Sequence, residues 1–485
     1  MPGNVILITI DCLRADRFFD RVFRGSASSC FKLLAKKGSI FTQAVSNSSW
    51  TLPSFVSLFT STYPLMHRVK IESRWLMQGV RYLKKEHIDF ELPLYINKET
   101  VSLAEVLAKK GYVTIGLHSN TVLSIFLRAL EEYFQYYKNL RKTKTIIQAS
   151  SREKFSNLLR KLCRTSGMFC WLSAWLNVNI RKITRETILP YTDAKETIAS
   201  ITPFLNKILK RSDKKVFLWV HFMDPHAPYL PPLHYLQAIG WDTRHALLEC
   251  LKIYQKMYNN PKSITTEELK AISLFYDAEI NYVEEQLGNF LDKLEELGVS
   301  TDNSYFILTA DHGELLGEHD ALWHGGLLYE ELIRVPLIMA GPGIRPGTRI
   351  DSQVSLIDLA PTILDLLGFK VPPGFLGETF KHLFSGEEKH EKPVISEYAG
   401  VGVRKYSYRT RKWKYILSIT AHGIREELYN LRRDPKERIN MFDEADVLKI
   451  LRKYTVKHIM RENSLRGKVG LVAKIRKLKL YLSQG

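Results

Sequence analysis

The chain has 485 residues, 45% of them apolar and 25% charged, with a formal net charge of +19. That length and apolar content support one large core, and they exclude both a disordered chain and a disulfide-stapled miniature. The five cysteines show no zinc-finger spacing, and the most apolar stretch, Met168 to Leu176 with its flanks, is interrupted by polar residues before it reaches membrane-spanning length.

Taken in chain order, the first predicted element is a buried strand over residues 4 to 10 that ends on Asp11 and runs on as Cys12-Leu13-Arg14-Ala15-Asp16. The strand is short and has no basic leader, so no signal peptide is expected. With the odd cysteine count this points to a reducing, cytoplasmic setting. Asp11 fits either a helix N-cap or a metal ligand. In Trp50-Thr51-Leu52-Pro53, the proline suits the first turn of a helix that buries Val56, Leu58 and Phe59. Thr51 then stands just before a helix N-terminus, where free N–H groups attract anions.

A helix over residues 101–110 precedes a strand over 112–117, and a strand over 216–222 leads to Asp224 and His226. His221 lies inside that strand among large apolar neighbours and reads as a satisfied core histidine. Asp224 can ligate, orient His226 or cap a turn before Pro225. A helix over 278–296 is followed by an apolar strand over 305–310 that ends on Asp311-His312-Gly313-Glu314. A carboxylate and an imidazole at the carboxyl end of a buried strand form a metal-ligand pair. Another strand follows over 335–340. After Val371-Pro372-Pro373-Gly374-Phe375, shorter strands over 394–396 and 413–417 are expected to pair antiparallel.

The alternation predicts an α/β fold, a large mostly parallel sheet sandwiched by helices, with a small C-terminal α+β subdomain. The expected division is a catalytic domain over 1–370 with a basic insertion at about 125–190, a subdomain over 371–445 and a basic amphipathic tail over 446–485.

Several ordered motifs together resemble the sulfatase branch of the alkaline phosphatase superfamily. They are Asp-x-Leu-Arg-x-Asp at 11–16, the Pro53-Ser54 segment, Asp224-Pro225-His226-Ala227-Pro228-Tyr229, the Asp-His-Gly-Glu block at 311–319, Tyr329-Glu330-Glu331 with Arg334-Val335-Pro336, and Glu427-Leu428-Tyr429-Asn430-Leu431 with Asp434-Pro435. The resemblance implies an alkaline phosphatase-like fold and a metal-dependent ester hydrolase. It also exposes departures. Sulfatases carry Cys or Ser two residues before that proline, converted to formylglycine, and Arg two residues after it; here these are Thr51 and Phe55. Threonine cannot be oxidised to that aldehyde, so the chain resembles the superfamily's threonine-nucleophile enzymes of phosphomonoesters, phosphodiesters and phosphonates. Cys12 stands where many sulfatases have a second Asp ligand, and that role is not carried over.

The implied site has Thr51, His226 and His324 as catalytic residues and Asp11, Thr51, Asp311 and His312 as metal ligands. A mixed oxygen and nitrogen shell favours zinc or manganese, with calcium or magnesium as the less suited ions. His226 contacts the ester or protonates the leaving group, and with His324, near where sulfatases have a lysine, it can instead hold a second ion. His319 is read as bracing the loop after Glu318. The alternatives are a sulfuric ester hydrolase working without formylglycine, a phosphotransferase, and a non-enzymatic protein that binds membranes or polyanions.

The charge is concentrated. From Lys138 to Arg185 there are twelve Lys or Arg against one acid, and from Val447 to the end eleven against one. Both segments mix basic and apolar residues at helical intervals, as in Leu471, Val472, Ile475, Leu478 and Leu480. They suit an anionic membrane surface, which would make the protein peripheral, or they pack on the body with their charges solvated. No nucleic-acid motif accompanies them, and the expected partner is an anionic ester.

Overall fold

The computed structural model describes residues 3–67, 100–120, 123, 134–140, 185, 189–211, 214–242, 246–387, 391–400 and 402–466. Most of the basic insertion and residues 467–485 lie outside these. Nine strands form the main sheet: β1 (Asn4–Ile10), β2 (Ser39–Val45), β3 (Val113–His118), β4 (Tyr136–Asn139), β5 (Val216–Phe222), β6 (Ser304–Ala310), β7 (Arg334–Ala340), β8 (Thr348–Ile350) and β9 (Val354–Ser355). The order is β8-β2-β7-β6-β1-β5-β3-β4, with β9 also beside β2, and only β7 runs antiparallel to its neighbours. The expected mostly parallel sheet is therefore present.

Why these segments become central strands is plain from their sequence. β1, β5 and β6 are runs of Val, Ile, Leu and aromatic residues with almost every position buried, as strands covered on both faces must be. β1 lies between β5 and β6 in register, Ile10 opposite both Phe222 and Ala310. The residues that follow, Asp11, Met223 and Asp311, thus emerge together at one sheet edge. Ser39–Val45 was not foreseen as a strand, because Thr42 and Gln43 interrupt its apolar run.

Helices α1 (Ala15–Arg24), α2 (Cys30–Lys37), α3 (Thr51–Thr60), α4 (Leu103–Lys109), α5 (Ala194–Arg211) and α6 (Thr266–Glu296) join the strands. α6 begins earlier than its apolar periodicity suggests, because Thr265 and Glu268 form a reciprocal capping box at its start. α3 is buried along its whole length, with Phe55 and Phe59 packed on Trp219 at ring separations of 5.0 and 4.9 Å.

Beyond α7 (Leu359–Leu366), four strands form an antiparallel meander: β10 (Val394–Gly400), β11 (Val403–Arg409), β12 (Trp413–Thr420) and β13 (Gly423–Asn430). Val394, Ile416 and Tyr429 join the main core, while Tyr406, Tyr415 and Leu428 pack in a separate cluster with Leu448, Leu451 and Ile459 of α8 (Ala445–Arg466). The first part of the basic C-terminal segment is thus packed on this sheet; the apolar residues at 471–480 lie outside the described residues. Among the described residues no helix is long and apolar enough to cross a membrane.

A buried charge network fastens the meander to the body. Glu330 accepts from Arg409 at 2.7 Å and pairs with Lys414 at 3.2 Å, and Lys414 reaches Glu437 at 2.9 Å. Removing one member of such a set strands the others in a low-dielectric seam. Lys414→Ala should lower the unfolding free energy by about 3 to 5 kcal/mol in a denaturant titration; a loss under about 1 kcal/mol would show that the seam does not depend on it.

Candidate active site

The site is assembled from three strand ends and one helix start. Thr51 is the first residue of α3, one position later than the sequence suggested, and its hydroxyl points at the sheet edge 3.1 Å from His312 Nε2. The loop that delivers it is held on all sides. Ser46 donates to the Asp311 carbonyl at 2.6 Å, Ser48 to the Glu397 carbonyl at 3.0 Å, and Asn47 Oδ1 accepts from Ser355 and from the Ile357 amide. A short turn after β6 is fixed as tightly. The Gly313 amide donates to Leu332 O, and a Cβ at Gly313 would meet the Glu331 carbonyl oxygen at 2.0 Å, so only glycine fits between His312 and Glu314.

The hydrogen-bond pattern assigns the His312 tautomer. Nδ1–H donates to Gly313 O at 2.8 Å, which leaves the Nε2 lone pair facing Thr51 Oγ1, Asp311 Oδ2 at 3.3 Å and Asp11 Oδ1 at 3.6 Å. Asp311 Oδ2 is buried and has no hydrogen-bond donor, although its other oxygen accepts from the His312 amide. The Thr51 hydroxyl donates to Nε2 and the Cys12 thiol to Asp11 Oδ1 at 3.0 Å, which leaves Asp311 Oδ2 facing the imidazole at 3.3 Å with no donor of its own. That arrangement is unfavourable empty and fits a divalent cation, whose tetrahedral shell at about 2.0–2.2 Å separates donors by about 3.3–3.6 Å. The set of two carboxylates, one imidazole and a hydroxyl therefore fits the metal expected here.

Electrostatics agrees. Burial, with Asp11 beside it, pushes the Asp311 carboxyl far above its usual range. Burial acts on Asp11 in the same sense, but His226, His221 and His312 outweigh it and hold Asp11 well below. Burial and the neighbouring His324 push His312 down to about 3, keeping it the neutral ligand form.

Two outer partners hold Asp11. Asn120, just past β3, donates to Oδ2 at 2.9 Å, and His221 Nε2 does so at 3.2 Å. His221 Nδ1 meets Thr9 Oγ1, which also accepts from Trp219 Nε1. His221 is therefore the buried, satisfied histidine expected from sequence, and it also orients Asp11. Asn120 carried no signal, because nothing in its surroundings in the chain marks it. Asp224 resolves the other way: it accepts from Arg185 at 2.6 Å and from the Ala194 amide at 2.8 Å, so it anchors α5 and an ion-pair cluster with Glu279.

The rim holds Cys12, His226 and His324, whose donor atoms all lie within 4.8 Å of one another. Cys12 has a left-handed backbone at φ 60°, fixed by Tyr276 donating to its carbonyl at 2.6 Å and by its amide donating to Asp311 Oδ1. Its Sγ is 3.5 Å from His324 Nδ1, which is also 3.1 Å from Glu314 Oε1. His226 Nδ1 is committed to Ala227 O at 2.7 Å, so its Nε2 presents a lone pair. The His324 turn is tied to the Thr51 loop by the Gly325 amide donating to Ser49 O. His319 instead stacks on Tyr329 and bonds Glu331 at 3.3 Å, as its bracing role requires. Phe55 packs on His221 at 4.7 Å, where sulfatases have an arginine.

Comparison with known proteins gives one answer. A family model described as Sulfatase matches residues 3–369, and one described as N-sulphoglucosamine sulphohydrolase, C-terminal, matches 317–464. Arylsulfatase K of Homo sapiens is 34% identical over 187 residues, 36% of this chain and 34% of that protein; the alignment thus spans about a third of that relative. Arylsulfatase K of Xenopus laevis is 22% identical over 442 residues, 84% of this chain and 73% of that protein. The phosphonate monoester hydrolase of Agrobacterium radiobacter superposes with a TM-score of 0.65 at 20% identity, covering 96% of this chain and 95% of that one, a likeness of fold.

Chelation should lower the thermal midpoint of the wild type, and added zinc or manganese should restore it, because the ion binds only the folded site. Asp311→Asn should respond to neither, and in metal-free buffer should be more stable than wild type, having lost one of two facing carboxylates. A wild-type midpoint indifferent to chelator and metal would contradict the fit.

Proposed function

The chain belongs to the sulfatase family of the alkaline phosphatase superfamily, and from that premise we propose that it is a metal-dependent hydrolase of phosphomonoesters, phosphodiesters or phosphonates with Thr51 as nucleophile. The observation that carries this reading is the Thr51 hydroxyl at a helix N-terminus, 3.1 Å from His312 Nε2, which itself lies 3.3 Å from Asp311 and 3.6 Å from Asp11. A residue that cannot become formylglycine occupies the nucleophile position, and no arginine follows it at 55.

Asp11, Asp311, His312 and Thr51 would hold the ion. When bound, it neutralises the ester anion and lowers the pKa of the nucleophilic hydroxyl. Thr51 Oγ1 attacks the phosphorus, forming the Oγ1–P bond as the bond to the leaving oxygen breaks, and the hydroxyl proton passes through solvent to that oxygen. The first-turn amides of α3 stabilise the transferring oxyanion. Water then attacks the phosphothreonine, regenerating the hydroxyl and releasing the product anion. His221 and Asn120 keep Asp11 aimed throughout.

In this reading zinc or manganese fits the mixed donor set better than calcium or magnesium. Cys12, His226 and His324 are suited to a second, softer ion that positions the ester. The committed Nδ1–H of His226 supports this over proton donation, which a neutral ring accepting at Nε2 cannot perform. The protein is further proposed to be cytoplasmic and to meet anionic membranes through residues 138–185 and those after 466. Cosedimentation with anionic vesicles at about 0.15 M salt checks this, and failure to sediment would remove the membrane partner.

The decisive experiment is a panel of nitrophenyl phosphate, phosphodiester, phosphonate and sulfate, each with added zinc, manganese, magnesium or calcium. Thr51→Ala should lose at least about a thousandfold in kcat/KM on the phosphorus esters. Equal rates for wild type and variant on every ester would overturn the mechanism, and Thr51-dependent turnover confined to the sulfate would overturn the phosphoester assignment. Cys12→Ser should lower the bound metal by about one equivalent while leaving the ion at Asp11 and Asp311; unchanged content would remove the second ion.

A further inference from the structure

A cavity of about 300 Å³ opens in the seam where β2, β7 and β8 meet the ends of β11 and β13. Its lining is unlike that of any catalytic group described above: five arginines face two carboxylates. Two of the arginines are neutralised. Arg409 places Nε and Nη2 on the Glu330 carboxylate at 2.8 and 2.7 Å, and Arg349 Nε reaches Asp351 at 2.8 Å. The other three, Arg334, Arg411 and Arg432, have no carboxylate within 4.0 Å among the described residues.

Arg334 is preorganised. Its Nε donates to the Thr42 carbonyl at 3.0 Å and its guanidinium lies 5.1 Å over the Phe19 ring, which fixes the plane. Burial lowers its pKa, Glu330 and Asp16 act the other way, and Arg409 and Arg349 add to the lowering. Three like charges brought to one recess cost free energy that a bound anion offsets, and guanidinium forks match the paired oxygens of phosphate or sulfate. The volume lies at the small end of ligand pockets, enough for one such group and its immediate substituent. The cavity and the site share a segment of chain: Gln43 in the cavity wall is three residues before Ser46, which donates to the Asp311 carbonyl.

We propose that this seam cavity is a second anion site, which binds a phosphate- or sulfate-type oxyanion through Arg334, Arg411 and Arg432, either free or as the second anionic group of a substrate held at Thr51. Binding of the free anion does not depend on the proposed nucleophile chemistry.

Titration calorimetry of full-length protein carrying Asp311→Asn, which disables the catalytic centre, tests it with inorganic phosphate and with sulfate at about 0.15 M sodium chloride. One binding site should be seen, and adding Arg411→Gln with Arg432→Gln should weaken it at least tenfold, about 1.4 kcal/mol. Arg432 is exposed and Arg411 partly so, and an unchanged thermal midpoint in anion-free buffer confirms folding; if the pair lowers it, Arg432→Gln alone carries the comparison. No binding in the parent, or equal affinity in parent and arginine variant, would overturn the proposal. Kinetics in the Thr51 background then separates the two sources. A rise in KM for a bisphosphorylated substrate but not for a singly charged ester identifies the second group of a substrate, and unchanged KM for both identifies the free anion.

Discussion

Two carboxylates, Asp11 and Asp311, are buried at the ends of adjacent parallel strands with the lone pair of His312 between them, and the site depends on how that repulsion is resolved. Parallel pairing forces the crowding. β1 and β6 are in register, so the residues after Ile10 and Ala310 must emerge side by side. Hydrogen bonding relieves only part of it. Asn120 and His221 satisfy one oxygen of Asp11 and the weak Cys12 thiol donor its other, while backbone amides satisfy one oxygen of Asp311 and leave Oδ2 without a donor. The rest of the edge serves this arrangement: glycine where a Cβ would strike a carbonyl, a strained backbone at Cys12, and a serine-rich loop stapled between β9 and β10.

The same edge would accommodate the proposed threonine chemistry on a sulfatase-family scaffold without a change of fold. The strand ends and the helix start are set by core packing and do not depend on the nucleophile. Exchanging the family's Cys or Ser for Thr51, its arginine for Phe55 and its lysine region for His324 alters charge and donor type while the scaffold persists. The cationic groups that would grip a sulfate are replaced at the reaction centre by imidazoles and a thiol. In the proposed mechanism positive charge would come from a bound metal rather than from side chains, as activation of an ordinary hydroxyl requires.

Much of this was legible in the sequence. Continuous apolar runs announced β1, β5 and β6 because strands buried on both faces need no alternation, and ligands at their ends followed. The strands outside that class were harder: β2 carries polar positions, and β13 reads Gly-Ile-Arg-Glu-Glu-Leu-Tyr-Asn, charged on its outer residues. At the site, Thr51, Asp311, His312 and Asp11 are legible as candidates because each sits at an element boundary, and the structure brings the four together. Asn120 is not, since its role exists only through a contact 109 residues away. Asp224, which the sequence leaves open between ligand, orienter of His226 and cap, is a motif residue whose carboxylate is spent on Arg185 and the Ala194 amide. The arginine seam was equally hidden, its members gathered from strands and loops nearly a hundred residues apart.

The central claim is that a metal ion resolves the facing carboxylates and activates Thr51. Anomalous diffraction at the zinc edge, from crystals grown with zinc, tests it most directly. The account predicts a peak within about 2.0–2.2 Å of Asp11 Oδ1, Asp311 Oδ2 and His312 Nε2 and next to Thr51 Oγ1. A zinc-soaked crystal with no peak there, and with Asp11 and Asp311 instead sharing a proton in a short hydrogen bond, would contradict it.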